Sequence, residues 1–527
     1  MATVELVFIL LAATAVMRFL SDQLNIPHAV LLVLGGLLLA IVPGLPRPTL
    51  DPGIVFLVFV PPLLYSAAIT TSWRDFRLAR RPILLLAFGL VTATILVVAL
   101  VAHAFMGLAW APAFVLGAIV SPSDVVAAVS VTRQLSVGRS VRTLLRGEGL
   151  VNDAAAFVAY RMAVRATVSG EFSLARALPQ FVVAGAGGVA IGLAVGYAVV
   201  SLRRRLPAAP EAENTISLLT PFAAFVLAER LGLSSVLAVV AAGLYISYEA
   251  PRFIPPETRI QALNMWSIVS FMFEGLIFIL IGLDLPLVLH SIEGRALSTL
   301  IRYGLLVSAT VIAVRIAWVF PAAYARQAIE KWLRARTVFF TARQLLFIAW
   351  AGVRGADSLV IALALPLTTA NGRPFPGRGV IVFVTFVVIF VTLVVQGLTF
   401  RPLIRFLGLG DDGREDEEAI EARLQTAKAG LARLDRIIAR EPALAEVAQR
   451  VRERHLHRVH RYSSRKHHRV HRRDEAAAAD YRKVRKEMID AERRELIRLR
   501  DEGVVGDDVL RAIQRELDLE ELQLEAE

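Results

Sequence analysis

The 527-residue sequence predicts an all-α polytopic membrane protein with a charged helical tail. Three observations carry that fold class. Hydrophobic residues make up 56% of the chain, and mean hydropathy is +0.58, values ordinary for multi-span membrane proteins. Apolar stretches of about 17–25 residues, the length that crosses a bilayer, recur along residues 1–406. From about residue 408 the composition switches to Arg, Glu, Asp and His, dividing the chain into a membrane domain, 1–407, and a candidate regulatory tail, 408–527. With no Cys in the chain, disulfides and Cys-based metal sites are excluded.

Taken in order, the sequence gives about thirteen spans. The first, 3–20, lies in "MATVELVFILLAATAVMRFL", which lacks a basic leader and a small-residue cleavage signal and therefore reads as a span, not a signal peptide. Then come 28–45, 52–70, 82–106, 110–132, 145–164, 174–202, 214–231, 233–249, 262–283, 297–324, 344–367 and 379–406. The division of the eighth from the ninth rests only on residues 231–233.

The charges test this count. Nineteen basic residues flank or occupy the odd-numbered connections, among them Arg74, Arg77, Arg80 and Arg81, Arg139, Arg142 and Arg146, and Arg203, Arg204 and Arg205; the even-numbered connections have nine. Cytoplasmic loops carry the excess of Lys and Arg. The N-terminus is therefore expected outside and the tail in the cytoplasm, and an odd number of spans is needed to put it there. The net charge of +12 belongs to the same pattern and does not require nucleic acid.

A charge at mid-bilayer costs about 2.5–3.5 kcal/mol even on the lenient insertion scale. Few acids lie deep in the spans: Asp124, Glu148, Asp153 and Glu274, with Asp357 nearby; the deep bases are Arg315 and Arg354. Any one of them could serve only to pair helices. For the whole set, pairing alone is a poor explanation, because apolar residues would hold the helices at lower cost. Glu274 is expected to be structural, with helix-end or ion-path duty as the alternative.

Two spans read as broken. In "GAIVSPSDVVAAVSV", Pro122 removes a backbone donor and disfavours a helical residue before it. Ser123 and Asp124 then stand where a second half-helix begins, the place for a hydroxyl or carboxylate. In "FIAWAGVRGADSLVIALALP", Gly352 and Gly355 flank Val353 and Arg354, and a cation there suits the carbonyls that end the first half. An ordinary kink would explain either one alone. They are the fifth and twelfth spans, matching members of repeats 1–6 and 8–13. An offset of seven spans inverts the second copy, and broken helices at matching places in inverted repeats point to a transporter's midplane site.

At these residues the chain resembles the monovalent cation:proton antiporter superfamily, in its bacterial sodium/proton exchanger (NhaP-like) branch. "SPSDVVAA" is similar to the family's Thr-Asp-Pro crossing segment and "GEGLVNDA" to its Asn-Asp motif. "FEGLIFILIGLDL" resembles its Glu-x-x-x-Phe-x-x-x-Gly span, "AGVRGADSLVIALALP" its Gly-x-Arg-Gly span, "VPPLLYSAA" its third-span Pro-Pro motif and "RIAWVFP" its Arg-bearing span. The match runs through residues 1–406 in order. It implies Asp153 as the acid that carries cation and proton, and Asn152 as its polar neighbour tied to the broken span. Ser123 becomes a backbone or hydroxyl ligand, Asp124 the crossing acid, Glu148 and Arg315 a structural ion pair, and Arg354 the compensator of helix ends. It also implies a homodimer, and an elevator-like movement of a core domain. Two positions depart from the family: Gly149 where Ser is frequent, and Ser66 where Glu is frequent. Both remove oxygen ligands.

A hard monovalent cation such as sodium takes oxygen ligands, which Asp153, Ser123 and carbonyls near Pro122 could supply. A carboxyl in water holds almost no proton at neutral pH, whereas burial favours its neutral form. Competition of cation and proton for one buried acid then enforces exchange. With Asn152 an amide and Glu148 neutralised by Arg315, the site carries one negative charge, so electroneutral one-for-one exchange is expected, serving sodium and pH homeostasis. Potassium, or low selectivity among sodium, potassium and lithium, is the alternative cation reading; a regulated cation channel is the alternative class. An enzyme is not expected, since no nucleophile–base set or nucleotide loop is visible, and no cofactor is called for. The expected location is the bacterial plasma membrane.

In the tail, Ile420, Leu424, Ala427, Leu431 and Leu434 recur at helical steps. "RERHLHRVHRYSSRKHHRVHRR" follows, holding six of the nine His. It reads as a solvated basic helix or linker, as a patch for anionic membrane lipid, or as a His-based pH sensor. His103 and His290 are expected at the membrane interface.

Overall fold

The computed structural model describes residues 2–24, 28–42, 52–124, 137–170, 174–205, 209–290, 296–332, 340–409, 414–466, 472–502, 504 and 507–526. Among these residues all regular structure is helical, apart from one isolated bridge between Thr368 and Pro374. It divides into two compact units, Met1–Asp411 and Asp412–Glu527.

In the first unit the helices run in chain order as α1 (Ala2–Leu24), α2 (His28–Ile41), α3 (Pro52–Ile69), a short α4 (Trp73–Leu78), α5 (Arg80–Met106) and α6 (Trp110–Val120). After them come α7 (Arg139–Ser169), α8 (Leu174–Arg205), α9 (Pro210–Arg230), α10 (Ser235–Glu249), α11 (Pro256–His290), α12 (Leu297–Trp332), α13 (Ala342–Trp350), α14 (Ala356–Leu363) and α15 (Arg378–Leu407). Five stretches, within α5, α8, α11, α12 and α15, are long and apolar enough to cross a membrane by length and composition. Gly232, at φ 70°, turns the chain between α9 and α10. The second half of the fifth expected span, 125–132, lies outside the described residues, as does the side chain of His290.

Two groups of helices face each other in this unit. In one, α11 packs on α2 and α3, and α10 on α3, α8 and α9. Small residues permit the closest approach: a Cβ at Gly36 would collide with the Ile279 carbonyl, and one at Gly282 with the Val33 carbonyl. The other group is α5, α6, α7, α12, α13, α14 and α15, in which α12 packs on α5, α13 and α15, and α7 on α5 and α6. The groups meet where α7 touches α3 and α10, and where α14 touches α3 and α11. Every functional residue proposed from the sequence lies on or beside these meeting helices.

The tail unit is built of α16 (Arg414–Arg440) against α17 (Ala445–Lys466), and α18 (Arg472–Asp501) against α19 (Asp507–Ala526). Leu424 and Ala427 are buried, as the periodicity requires. Across the second pair, Arg493 Nη1 lies 2.6 Å from Glu521 Oε2, and Lys486 Nζ 3.2 Å from Glu521 Oε1. Hydrogen bonds from Arg493 and Lys486 hold the Glu521 carboxyl below its usual range. A depressed carboxylate contributes stability above its ordinary value and loses it as pH falls through the folded one. The Glu521→Gln change is therefore expected to speed backbone hydrogen exchange in α18 and α19 near neutral pH. In acid, where wild type loses the same charge, the difference should vanish.

Candidate functional site

The site is built on α7. Residues four apart share a helix face, so Glu148 and Asn152 point together toward the end of α6, and Asp153, one step round, points elsewhere. The Asn152 amide Nδ2 donates to Ser123 Oγ at 2.9 Å and, more weakly, to the Ser123 carbonyl at 3.4 Å. The Ser123 hydroxyl donates in turn to Glu148 Oε1 at 2.9 Å. Arg315 Nη1 also donates to the Ser123 hydroxyl at 3.5 Å, so the hydroxyl's donor and both acceptor positions are occupied, and the Ser123 oxygen left for a ligand is its carbonyl.

Glu148 is 1% exposed and so is Arg315. The Arg315 guanidinium holds Glu148 by a two-pronged contact, Nη1 on Oε1 and Nη2 on Oε2 at 2.8 Å, and its Nε donates to the Ile348 carbonyl at 3.1 Å. One side chain thus ties α12, α7 and α13 together. Gly352 makes room for it, since a Cβ there would press on the Arg315 stem.

The break between α13 and α14 spans Ala351–Gly355. It meets the end of α6 through two reciprocal contacts. Asp124 donates its N–H to the Val353 carbonyl at 2.8 Å, and Arg354 Nε donates to the Val120 carbonyl at 2.6 Å. Arg354 Nη1 also donates to the Gly352 carbonyl at 2.7 Å, and its N–H to Thr392 Oγ1 on α15 at 3.1 Å. The cation is fully buried and satisfies carbonyls left open where α6 stops at Val120 and where the chain breaks around Gly352. A Cβ at Gly355 would fall on the Asp124 carboxylate. Overpacking of this kind costs about 1–3 kcal/mol, so Gly355→Ala is expected to lower both the thermal midpoint and the exchange rate of reconstituted protein.

Asp153, Asp124, Glu274 and Asp357 are each half-buried. Among the described residues Asp153, Glu274 and Asp357 make no hydrogen bond or ion pair. Glu274 lies on α11, which packs against α14, the helix that carries Asp357. The carboxyl oxygens of Asp153 and Asp357 offer a hard cation its natural ligands. Asn152 Oδ1 is buried with no hydrogen-bond partner among the described residues, as are Arg354 Nη2 and both polar atoms of Gln396. Beyond Asp153, the same stripe of α7 carries Phe157, stacked on Phe56 at 4.5 Å, and Arg161, paired with Glu229 of α9. Phe56 also meets Phe225 at 5.5 Å.

Sequence reasoning undervalued Asp357 and missed Thr392 and Gln396. Asp357 follows the break by two residues, a spacing that equally suits a helix cap. Thr392 and Gln396 stand one turn apart on α15 inside a Val-rich span, where only their polarity marks them.

The family profile "Sodium/hydrogen exchanger, transmembrane" matches residues 7–406. The chain belongs to the sodium/hydrogen exchanger family. An uncharacterised sodium/proton exchanger of Mycobacterium tuberculosis is 35% identical over 98% of this chain and 95% of its own length. A sodium, potassium, lithium and rubidium/proton antiporter of Bacillus subtilis is 30% identical over 96% of this chain and 76% of its own length. The fold is similar to that of the sodium proton antiporter MjNhaP1 from Methanocaldococcus jannaschii, with TM-score 0.61 and 17% identity, covering 77% of this chain and all of that one. This exchanger is thus a multi-pass membrane protein of a transporter family.

Proposed function

We propose that this exchanger is a secondary-active monovalent cation:proton antiporter in which Asp153 carries cation and proton alternately. The observation that supports it best is a half-buried carboxylate without a hydrogen-bond or ion-pair partner among the described residues, set beside a break in two helices. An acid placed there for structure would be paired. Ser123, Asp124 and Asn152 complete the cation surroundings. Pro122, Gly352, Arg354 and Gly355 hold the crossing, and the Glu148–Arg315 pair keeps a fixed, neutral brace beside it.

The chain then crosses the bacterial plasma membrane about thirteen times, as inverted repeats with two broken crossing helices. The tail is cytoplasmic and regulatory, near anionic lipid, and the protein is a homodimer. Exchange runs by alternating access, one-for-one and electroneutral, serving pH and sodium homeostasis.

A second cation reading is exchange of potassium as well as sodium and lithium. The breadth printed in the name of the Bacillus relative supports it. Proton flux followed by dye in everted vesicles, with sodium, lithium and potassium in turn, tests both. Cation-dependent proton release that saturates supports antiport, and the order of half-saturation names the ion. Conductance without coupled proton movement would overturn the carrier reading in favour of a channel.

A further inference from the structure

A small hard cation stripped of water needs several oxygens around it. Among the described residues, the side-chain oxygens of Glu148, Ser123 and Ser66 are already engaged. Glu148 has both oxygens on Arg315 and one on Ser123 as well. The Ser123 hydroxyl sits between Glu148 and Asn152. Ser66 turns its hydroxyl back on its own helix, donating to the Leu63 carbonyl at 2.8 Å.

Asp357 is different. It lies in the first turn of α14, immediately after the break, on a helix that packs against α3, α6 and α11. It is half-buried and makes no hydrogen bond or ion pair among the described residues. The break before it lies against Asp124, whose N–H donates to the Val353 carbonyl and whose carboxylate fills the space beside Gly355, two residues before Asp357; Ser123, next to Asp124, takes the amide of Asn152, next to Asp153. The helix N-terminus favours the charged carboxylate at this position, whereas Asp153 lies mid-helix and has no such support. Two buried oxygens nearby in sequence also want a partner. Asn152 Oδ1 and Ser358 Oγ are unsatisfied, each on a residue 1% exposed. Because Asn152 Nδ2 is spent on Ser123, its Oδ1 is turned away from that residue, and an unmatched buried acceptor is the kind that a cation or its last water satisfies.

We propose that Asp357 is a second carboxylate ligand of the transported cation, so that the ion is held between Asp153 on α7 and Asp357 on α14. The inference rests on the antiport reading above. It makes the short helix after the break a part of the binding site, where sequence alone marks Asp357 only as an acid near the spans. Two charged ligands also set a high field strength, which favours sodium and lithium over the larger potassium.

Purified protein in liposomes tests this with Asp357→Asn, Asp357→Glu and, as reference, Asp153→Asn. Asp357→Asn is expected to raise the sodium KM by about tenfold or more, with a smaller change in kcat. The sodium needed to raise the thermal midpoint should climb by the same factor, the ion-free midpoint should hold, and the preference for sodium over potassium should shrink. Asp357→Glu should recover much of the affinity. Wild-type sodium KM, midpoint titration and ion preference in Asp357→Asn would overturn the inference while leaving the antiport reading intact, provided that Asp153→Asn is inactive. Retained exchange in Asp153→Asn would overturn both. Should Asp357→Asn fail to fold, Asp357→Glu decides: its longer carboxylate must change sodium KM or ion order, and an unchanged pair of values overturns the assignment.

Discussion

Asp153→Asn is expected to abolish cation-driven proton flux, down to the level of empty vesicles, without loss of folded protein. The two halves of that expectation have separate causes. The amide keeps the shape of the side chain, and among the described residues the carboxylate has no hydrogen bond or ion pair to forfeit, so α7 and its packing should be untouched. What is lost is the group that cation and proton contend for. An amide cannot take a proton at physiological pH, and it offers a cation one neutral oxygen in place of two sharing a charge. Asp153→Glu keeps the chemistry and moves it by one methylene, so it should retain measurable exchange at weakened cation affinity. Proton flux in reconstituted liposomes, with protein incorporation and thermal midpoint measured in parallel, checks both variants. Retained flux in Asp153→Asn would move the carrier role to another acid of the cluster, with Asp357 and Glu274 next to examine.

The sequence carries the local features of this site better than its long-range ones. The break at Ala351–Gly355 is written as two glycines around Val353 and Arg354, and the end of α6 as Pro122. The four-residue spacing of Glu148 and Asn152 puts them on one face of α7. What no spacing reveals is which residues meet across the fold. Arg315 and Glu148 are 167 positions apart, and only the family resemblance suggests their pairing. Arg354 reaches the Val120 carbonyl over 234 positions, a contact that depends on how two half-helices pass each other. The charge reckoning from Asn152 considered Asp153 alone. The fold adds Asp124 and Asp357, because the end of α6 meets the break before α14, and it sets α11, which carries Glu274, against α14. Hydropathy has the opposite weakness. It marks apolar stretches well, yet the length and composition of the described helices identify five spanning stretches, since short, broken and more polar helices fall below the length or hydropathy that such reading needs.

Breaking the Glu148–Arg315 pair on one side should cost far more than removing it altogether. In Glu148→Gln the guanidinium stays where it is, 1% exposed, with its countercharge gone. Uncompensated buried charges of this kind cost about 3–5 kcal/mol. The amide still accepts from Ser123, so the loss isolates the charge and not the hydrogen-bond chain. Glu148→Gln combined with Arg315→Met removes the stranded cation and fills most of its volume, including the room left by Gly352. Replacing a buried pair in this way is often close to neutral. The double variant should therefore be more stable than Glu148→Gln alone, a coupling that thermal midpoints of the four members of the cycle would measure. Exchange then separates brace from carrier. If the pair only positions α7 against α12 and α13, the double variant folds and transports. A stable double variant that no longer moves cation or proton would mean that Glu148 takes part in transport itself.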